Sequence, residues 1–311
     1  MIVAITGGTG FIGRKLALRH LAHGHKVRVL SRKNAVEPGA TLCSGGLFNQ
    51  DVLRSFVDGA DILYHCAGEI RDQASMYAVH VKGTRHLIDA ASGRIGRWVQ
   101  LSSVGAYGRQ RAGVVTEQTE LHPIGTYEVT KVLSDGLVQA AAEGGAFEHV
   151  VLRPSNVYGS EMSNQSLFGL IGMIQRGRFF FIGFPGASAN YIHVANVAEA
   201  LMLCGTKLQA NDRLFNLSDH RTLETFVDVI ADALGRRSPR LRLPEWSVRL
   251  PSALLGGIPG FPLTGSRVDA LTGRAIYSTS RIERELGYRH TVAMEDGLKE
   301  LVHAWQQRAG A

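Results

Sequence analysis

Cysteine is scarce in this 311-residue chain, and the three present, Cys43, Cys66 and Cys204, show no paired spacing and no accompanying histidine pattern. That argues against a disulfide framework and against structural zinc, and for a reducing compartment; no metal site is expected. Long apolar runs are also missing. The best stretch, 248–263, is broken by Pro251, Pro259 and Pro262, so no membrane span is expected. No charged-then-apolar leader precedes the first strand-like residues, and a cytoplasmic location is the expectation. The net charge of +7 is spread along the chain without a basic stripe interleaved with aromatics. Nucleic acid is therefore not an expected partner, whereas a small anionic ligand suits the basic excess. No internal repeat or low-complexity segment is visible.

What is present is an ordinary globular composition, 45% hydrophobic, enough for one large domain or a domain with a lobe. The chain opens on an apolar run of strand length, Ile2-Val3-Ala4-Ile5-Thr6, followed by Gly7, Gly10 and Gly13 and then a helical pattern to about His23. The first glycine permits a sharp turn, the second lets backbone approach a pyrophosphate, and the third lets the helix pack close to the strand. The free N–H groups of the helix start then face the phosphates. Strand-like runs at 26–30, 41–44, 60–67, 97–101 and 149–152 alternate with helical runs at 50–57, 72–91 and 127–142. Apolar strands in that alternation predict an α/β fold, a Rossmann-type doubly wound parallel sheet with helices on both faces. After Gly159 the pattern loosens into helices at 162–176, 194–205, 222–234, 280–286 and 294–306, and strands at 179–182 and 213–217. The reading is a dinucleotide-binding domain over 1–160, to which 191–217 returns, and a smaller C-terminal substrate lobe over 161–311.

Three stretches carry the chemistry. A carboxylate about 20 residues past the glycine turn would accept from the adenosine ribose and reject a phosphate there. The sequence has Ser31, Arg32 and Lys33 instead, which can hold a ribose phosphate, so NADP is expected ahead of NAD. Tyr127 and Lys131 lie four apart and share one face of a helix. A phenol of ordinary pKa ~10 is a poor base near neutrality; an ammonium one turn away is expected to stabilise the phenolate, as is an oxidised nicotinamide, making Tyr127 an acid/base for an alcohol–ketone interconversion while Lys131 also bonds the nicotinamide ribose. Upstream, the strand ending at Leu101 runs into Ser102 and Ser103, and the Ser103 hydroxyl is placed to hold a substrate oxygen.

Together these residues resemble the extended short-chain dehydrogenases/reductases, the superfamily of NAD-dependent sugar epimerases and dehydratases, with features of 3β-hydroxysteroid dehydrogenase-like members. The resemblance runs over nearly the whole chain. Residues 6–13 match the cofactor turn, His65-Cys66-Ala67-Gly68 the segment lining the adenine side, residues 79–84 a helix motif, and Ser103, Tyr127 and Lys131 the catalytic triad. Residues 153–159 match the loop beside the nicotinamide, and 191–198 and 285–288 two later blocks. The resemblance implies cofactor contacts from Gly7, Gly10, Phe11, Ile12, Gly13, Ser31, Arg32, Lys33, Leu47, Cys66, Ala67, Gly68, Tyr127, Lys131, Pro154 and Asn156. It implies substrate contacts from Glu69, Ser103, Asn156 and Asn164, and a homodimer through the helices at 72–91 and 127–142.

The departures narrow the chemistry. Val104-Gly105 follows Ser103 where dehydratases carry an acidic pair, which disfavours elimination of water. Ala189-Asn190 stands where nucleotide-sugar enzymes have Arg-Asp, which removes a diphosphate partner. His80 stands in place of the usual asparagine and Gly46-Leu47 in place of Asp-Leu. Asn156 and residues 163–167 still look like a sugar-epimerase loop, and Arg267 and Arg274 can supply diphosphate contacts. The expectation is an NAD(P)-dependent oxidoreductase or epimerase acting on a small molecule, a sugar nucleotide first. The alternative is a ring or sterol-type alcohol, and a non-catalytic NADP-binding sensor comes last. Histidine 65, in a buried strand, reads as a satisfied core residue, and Glu69, Asp72 and Glu117 as surface or cap residues, with Glu69 retained as a substrate contact because it follows a strand at the ligand edge.

Overall fold

The structure is a computed structural model that describes residues 1–33, 35–162, 165–255 and 264–309. The first half alternates as its periodicity dictates: β1 (Ile2–Thr6), α1 (Phe11–Ala22), β2 (Lys26–Ser31), β3 (Thr41–Ser44), α2 (Gln50–Val57) and β4 (Ala60–His65). The run at 72–91 is not one regular helix. Asp72 caps α3 (Gln73–Tyr77) by accepting from Ala74 N–H at 3.1 Å, and a wider π-type turn over Ala78–Lys82 leads into α4 (Gly83–Ala91). β5 (Ile95–Leu101), β6 (Ala112–Val115), α5 (Thr126–Glu143) and β7 (Glu148–Pro154) follow.

Seven parallel strands form the main sheet in the order β3-β2-β1-β4-β5-β7 and then β11 (Arg213–Leu217), which comes from the second half of the chain. Chain direction around the sheet reverses between β1 and β4, so the crevice at their carboxyl ends is the ligand position for this topology. One face of the sheet buries Val3, Ile5, Val29, Val99 and Val150 with Leu16 and Ala17 of α1. The other buries Ala4, Leu63 and Trp98 with Leu53 and Phe56 of α2 and Leu87 of α4. Coverage of both faces is why these strands read as continuous apolar runs.

The second half contributes β8 (Asn156–Tyr158), α6 (Gln165–Gln175), β9 (Phe181–Ile182), β10 (Ser188–His193), α7 (Val194–Thr206), then β11, β12 (Asp219–Thr222), α8 (Leu223–Ala233), β13 (Arg242–Leu243), α9 (Glu245–Leu255), α10 (Gly265–Thr272), β14 (Arg274–Tyr277), α11 (Ser280–Leu286) and α12 (Met294–Ala309). β10 lies between β12 and β8 in a separate three-stranded sheet, so residues 191–193 do not join the main sheet, whereas β11 pairs with β7 as its seventh strand. The strand expected at 179–182 is confined to Phe181–Ile182, and the helix expected from residue 162 begins at Gln165. Two-stranded pairs β6–β14 and β9–β13 escape the sequence pattern because each is short and gains its partner from a distant segment. Asn196 of α7 fastens the start of the last helix: its Oδ1 accepts from Thr291 and Val292 N–H, and its Nδ2 donates to Val292 O. No described helix is long and apolar enough to cross a membrane.

Candidate active site

A large cleft of about 1350 Å³ opens at the carboxyl ends of β1, β2, β4, β5 and β7. Its floor is the glycine turn. Gly7 has φ +67°, in the left-handed region that glycine tolerates, and Gly10 N–H donates to Gly7 O at 2.9 Å to close the bend. A Cβ at Gly13 would overlap Gly7 O and lie 3.0 Å from Gly8 Cα, so α1 sits against the turn with no room for a side chain. Gly10 has free space on the cleft side, where a Cβ would meet only Gly7 O at 3.1 Å. Backbone N–H groups exposed in such a cradle fit a pyrophosphate.

The walls bring together the sequence-predicted set. Gly7, Gly10, Phe11, Ile12, Gly13, Ser31, Arg32, Lys33, Leu47, Cys66, Ala67, Gly68, Pro154 and Asn156 line the cleft together with Ser103, Tyr127, Lys131 and Glu69. Asn164 lies outside the described residues, as does the second half of the apolar stretch 248–263. At the β2 end Ser31 Oγ accepts from Lys33 N–H at 3.0 Å, holding the bend that presents Arg32 and Lys33, both exposed. Asn156 Nδ2 donates to Asn190 O at 3.2 Å. Glu69 borders the cleft, but its Oε1 accepts from the N–H groups of Ile70, Arg71 and Asp72, and these bonds hold its carboxyl below the usual range. Its carboxylate is spent on the turn, which is a capping role. Glu117 likewise turns inward, accepting from Asn216 N–H at 2.9 Å.

Tyr127, Lys131 and Asp135 recur at four-residue spacing along α5 and face β5. Lys131 is buried, and its ammonium donates to Leu101 O. Burial lowers its pKa, while Asp135 and Cys66 act to raise it. Asp135 accepts from Ser102 Oγ at 2.6 Å and from Arg153 at 3.2 Å, a buried ion pair joining α5 to β7. The Tyr127 phenol does not have the lowered pKa expected from its spacing to Lys131. Burial pushes it up to about 12, the charges of Asp135 and Glu128 act in the same direction, and the Ser103 hydroxyl opposes them. Ser103 Oγ also accepts from Gly105 N–H at 3.1 Å, which fixes its rotamer at the cleft.

Histidine 80 was only a departure from pattern in the sequence; in the structure it is part of the site. One ring nitrogen accepts from Glu69 N–H at 2.9 Å, the other lies 2.8 Å from Thr130 Oγ1, and the ring meets the Tyr127 ring edge-on with centroids 5.6 Å apart. It thus bridges the loop after β4 to the turn of α5 that carries the phenol. Burial lowers it to about 4, with the Lys131 charge adding to the effect. In the sequence the replacement of the usual asparagine left a bridging role there open. His65 is the satisfied core histidine that its buried strand suggested, bonded to Thr6 Oγ1 at 2.7 Å and Thr84 Oγ1 at 3.0 Å.

A parallel sheet in this strand order, a glycine cradle at its switch point and a cleft lined by serine, tyrosine and lysine define an enzyme of the short-chain dehydrogenase/reductase type. The model of the NAD-dependent epimerase/dehydratase family matches residues 3–218, and the chain belongs to that family. It is 27% identical to the 4-hydroxy-2-methyl-3-oxo-4-farnesyl-3,4-dihydroquinoline-1-oxide ketoreductase of Stigmatella aurantiaca, over 99% of this chain and 97% of that one. It is 26% identical to a 3 beta-hydroxysteroid dehydrogenase/Delta 5-->4-isomerase of Mycobacterium tuberculosis, over 96% and 88%. Among solved structures it resembles the UDP-glucose 4-epimerase of Thermotoga maritima, with a TM-score of 0.77 at 19% identity, covering 99% of this chain and all of that one.

Proposed function

We propose that the protein is a nicotinamide-dependent ketoreductase or dehydrogenase acting on a ketone or secondary alcohol of a lipophilic ring, with Ser103, Tyr127 and Lys131 as its catalytic residues. The observation that carries this is the convergence of those three side chains on the same cleft as the glycine cradle. The cradle fits a dinucleotide pyrophosphate, and Arg32 and Lys33 favour a phosphorylated ribose, hence NADP. When bound, the cofactor supplies or accepts the hydride. Tyr127 gives its hydroxyl proton to the carbonyl oxygen in the reducing direction and recovers it in the oxidising one. Ser103 donates to that same oxygen as charge develops on it. Lys131, fixed beside Leu101, presents a positive charge that stabilises the phenolate left behind.

The substrate class rests on what the cleft lacks and on the relatives. Ala189 is buried in the core of the lobe, so the position of a diphosphate-binding arginine holds a methyl group. Phe11, Ile70, Val157 and Met162 add apolar lining. The two relatives named above act, by their names, on a farnesylated quinoline and on steroids. A sugar nucleotide is the second reading, favoured by Asn156 and Arg71 in the same lining. Pairing of two copies through α3–α4 and α5 fits the exposed Tyr77, Val129 and Leu133 on those helices.

Turnover of lipophilic ring ketones and of UDP- and dTDP-sugars with NADPH, together with cofactor binding, tests the proposal. Ring ketones should be reduced, and Tyr127→Phe should cut kcat at least a thousandfold while leaving NADPH affinity within about threefold. Retained activity in that variant would remove Tyr127 from the mechanism, and turnover of sugar nucleotides alone would replace the substrate class.

A further inference from the structure

Four arginines crowd the surface of the lobe where α6 ends and the chain leaves α8. Arg176, Arg178, Arg236 and Arg237 line a shallow cavity of about 590 Å³ with Gln175. All four are exposed. Two helix C-termini lie beside them, each equivalent to about half a unit of negative charge. Four guanidinium groups leave a cationic excess that the fold does not consume. Beyond the cavity the two segments run side by side: β9 and β13 pair in parallel, Arg242 opposite Phe181 and Leu243 opposite Ile182. Where they end, large apolar side chains face water. Phe184 is 83% exposed, Leu241 61%, Trp246 68% and Leu250 61%. Trp246 and Leu250 are four apart on α9 and share its outer face, while Val248 between them is buried against Ile182 and Val268. Gly183, next to Phe184, lies against Glu245 at the start of α9, which brings the apolar group together. Phe184 lies six positions beyond Arg178, a span of at most roughly 20 Å.

We propose that this strip docks the protein on an anionic lipid bilayer, with the arginines at the headgroup phosphates and Phe184, Leu241, Trp246 and Leu250 at the acyl boundary. The four arginines gather at one end, and exposed Phe184, Leu241, Trp246 and Leu250 at the other, with Arg240 beside them, a cationic and apolar pairing that suits a membrane interface. The docking surface is joined to the cleft by α6. Met162 just before that helix lines the cleft, and its 11 residues carry the chain about 17 Å to Arg176. The inference goes beyond the proposed chemistry and does not depend on which alcohol is the substrate.

Co-sedimentation of the full chain with phosphatidylglycerol/phosphatidylcholine vesicles and with pure phosphatidylcholine vesicles tests it. Binding should appear on the anionic vesicles, weaken with added salt, and be at least tenfold lower on the neutral ones. Arg236→Ala/Arg237→Ala should weaken anionic-vesicle binding about thirtyfold, from about fivefold per arginine at a membrane surface. Trp246→Ser/Leu250→Ser should weaken it at least fivefold, and both double variants should keep the thermal shift given by NADPH, showing that they are folded. Absence of vesicle binding, equal binding to both vesicle types, or an arginine variant that binds as the parent does overturns the proposal. Self-association lost in the Trp246/Leu250 variant without any vesicle binding would assign the strip to a second copy of the chain and overturn it equally.

Discussion

Alanine at Gly10 and at Gly13 should separate cofactor binding from folding at the same turn. An added Cβ at Gly13 would overlap Gly7 O, and would lie 2.8 Å from Gly7 C and 3.0 Å from Gly8 Cα. All three are backbone atoms. Gly7 cannot yield easily, because it is held at φ +67° and bonded to Gly10 N–H. Relief requires α1 to move off the end of β1, where Leu16 and Ala17 are fully buried against Val3 and Ile5. Overpacking costs about 1–3 kcal/mol, and a backbone clash belongs at the upper end. In a chain of this size about 3 kcal/mol corresponds to a fall in melting temperature of roughly 5 °C. At Gly10 the backbone (φ −86°, ψ 175°) is ordinary for alanine, and the methyl would meet only one atom, at 3.1 Å. Stability should change by less than about 1 kcal/mol. The methyl would instead occupy the cleft side of the cradle, and NADPH affinity should fall at least tenfold, about 1.4 kcal/mol. Differential scanning fluorimetry and titration calorimetry on the two variants read these quantities separately. Gly10→Ala with NADPH affinity within twofold of the parent would refute the cradle, and Gly13→Ala with an unchanged melting temperature would refute the close approach of α1.

Three further outcomes follow from the same geometry. Asp135→Asn leaves the Arg153 guanidinium buried beside Lys131 without its counter-charge; urea denaturation should show a loss of about 3–5 kcal/mol, and an unchanged midpoint would mean that the pair carries no weight. His20 and His65, at about 3, and His80, at about 4, are all lowered by burial from 6.5, so below pH 6.5 the unfolded chain binds protons that the folded chain refuses. Stability should therefore fall as pH drops from 6.5, by about 2 kcal/mol per histidine at pH 5, and a melting temperature that stays flat from pH 7.5 to 5 contradicts the burial of neutral rings. Arg32→Ala should cost NADPH about tenfold in affinity with little effect on NADH, the loss of about one charge-assisted hydrogen bond; equal weakening of both cofactors would place Arg32 away from the ribose phosphate.

The main sheet was legible because buried parallel strands must be apolar on both faces. Ile2–Thr6 and Ala60–His65 are therefore continuous hydrophobic runs, separated by helices of opposite periodicity. The lobe was less legible because its strands are two to six residues long and pair across large separations: Phe181 with Arg242, and Ala112 with Arg274. Such segments have too few residues to show a period, and their pairing is decided by packing alone. The π-type turn at Ala78–Lys82 was hidden for a different reason. It is followed by close contact between Gly83 and Leu47, a constraint carried by another segment. Glycine 205 and Ala189 similarly acquire meaning only from what lies against them.

The side chains proposed for catalysis were legible as identities but not as electrostatics. Spacing places Tyr127 and Lys131 on one face of α5, yet it cannot say how much water the fold removes. The fold removes nearly all of it from Lys131, whose ammonium is steadied by Leu101 O and by the charge of Asp135. Around Tyr127 the same burial, with Asp135 and Glu128 nearby, favours the neutral phenol strongly enough to reach about 12. The chain alone therefore holds the proton on Tyr127 rather than loosening it. A protonated phenol is the form that ketone reduction consumes, because the nascent alkoxide needs a proton at the moment it forms. Oxidation needs the phenolate, which this environment disfavours until a positive charge enters the cleft, and an oxidised nicotinamide is such a charge.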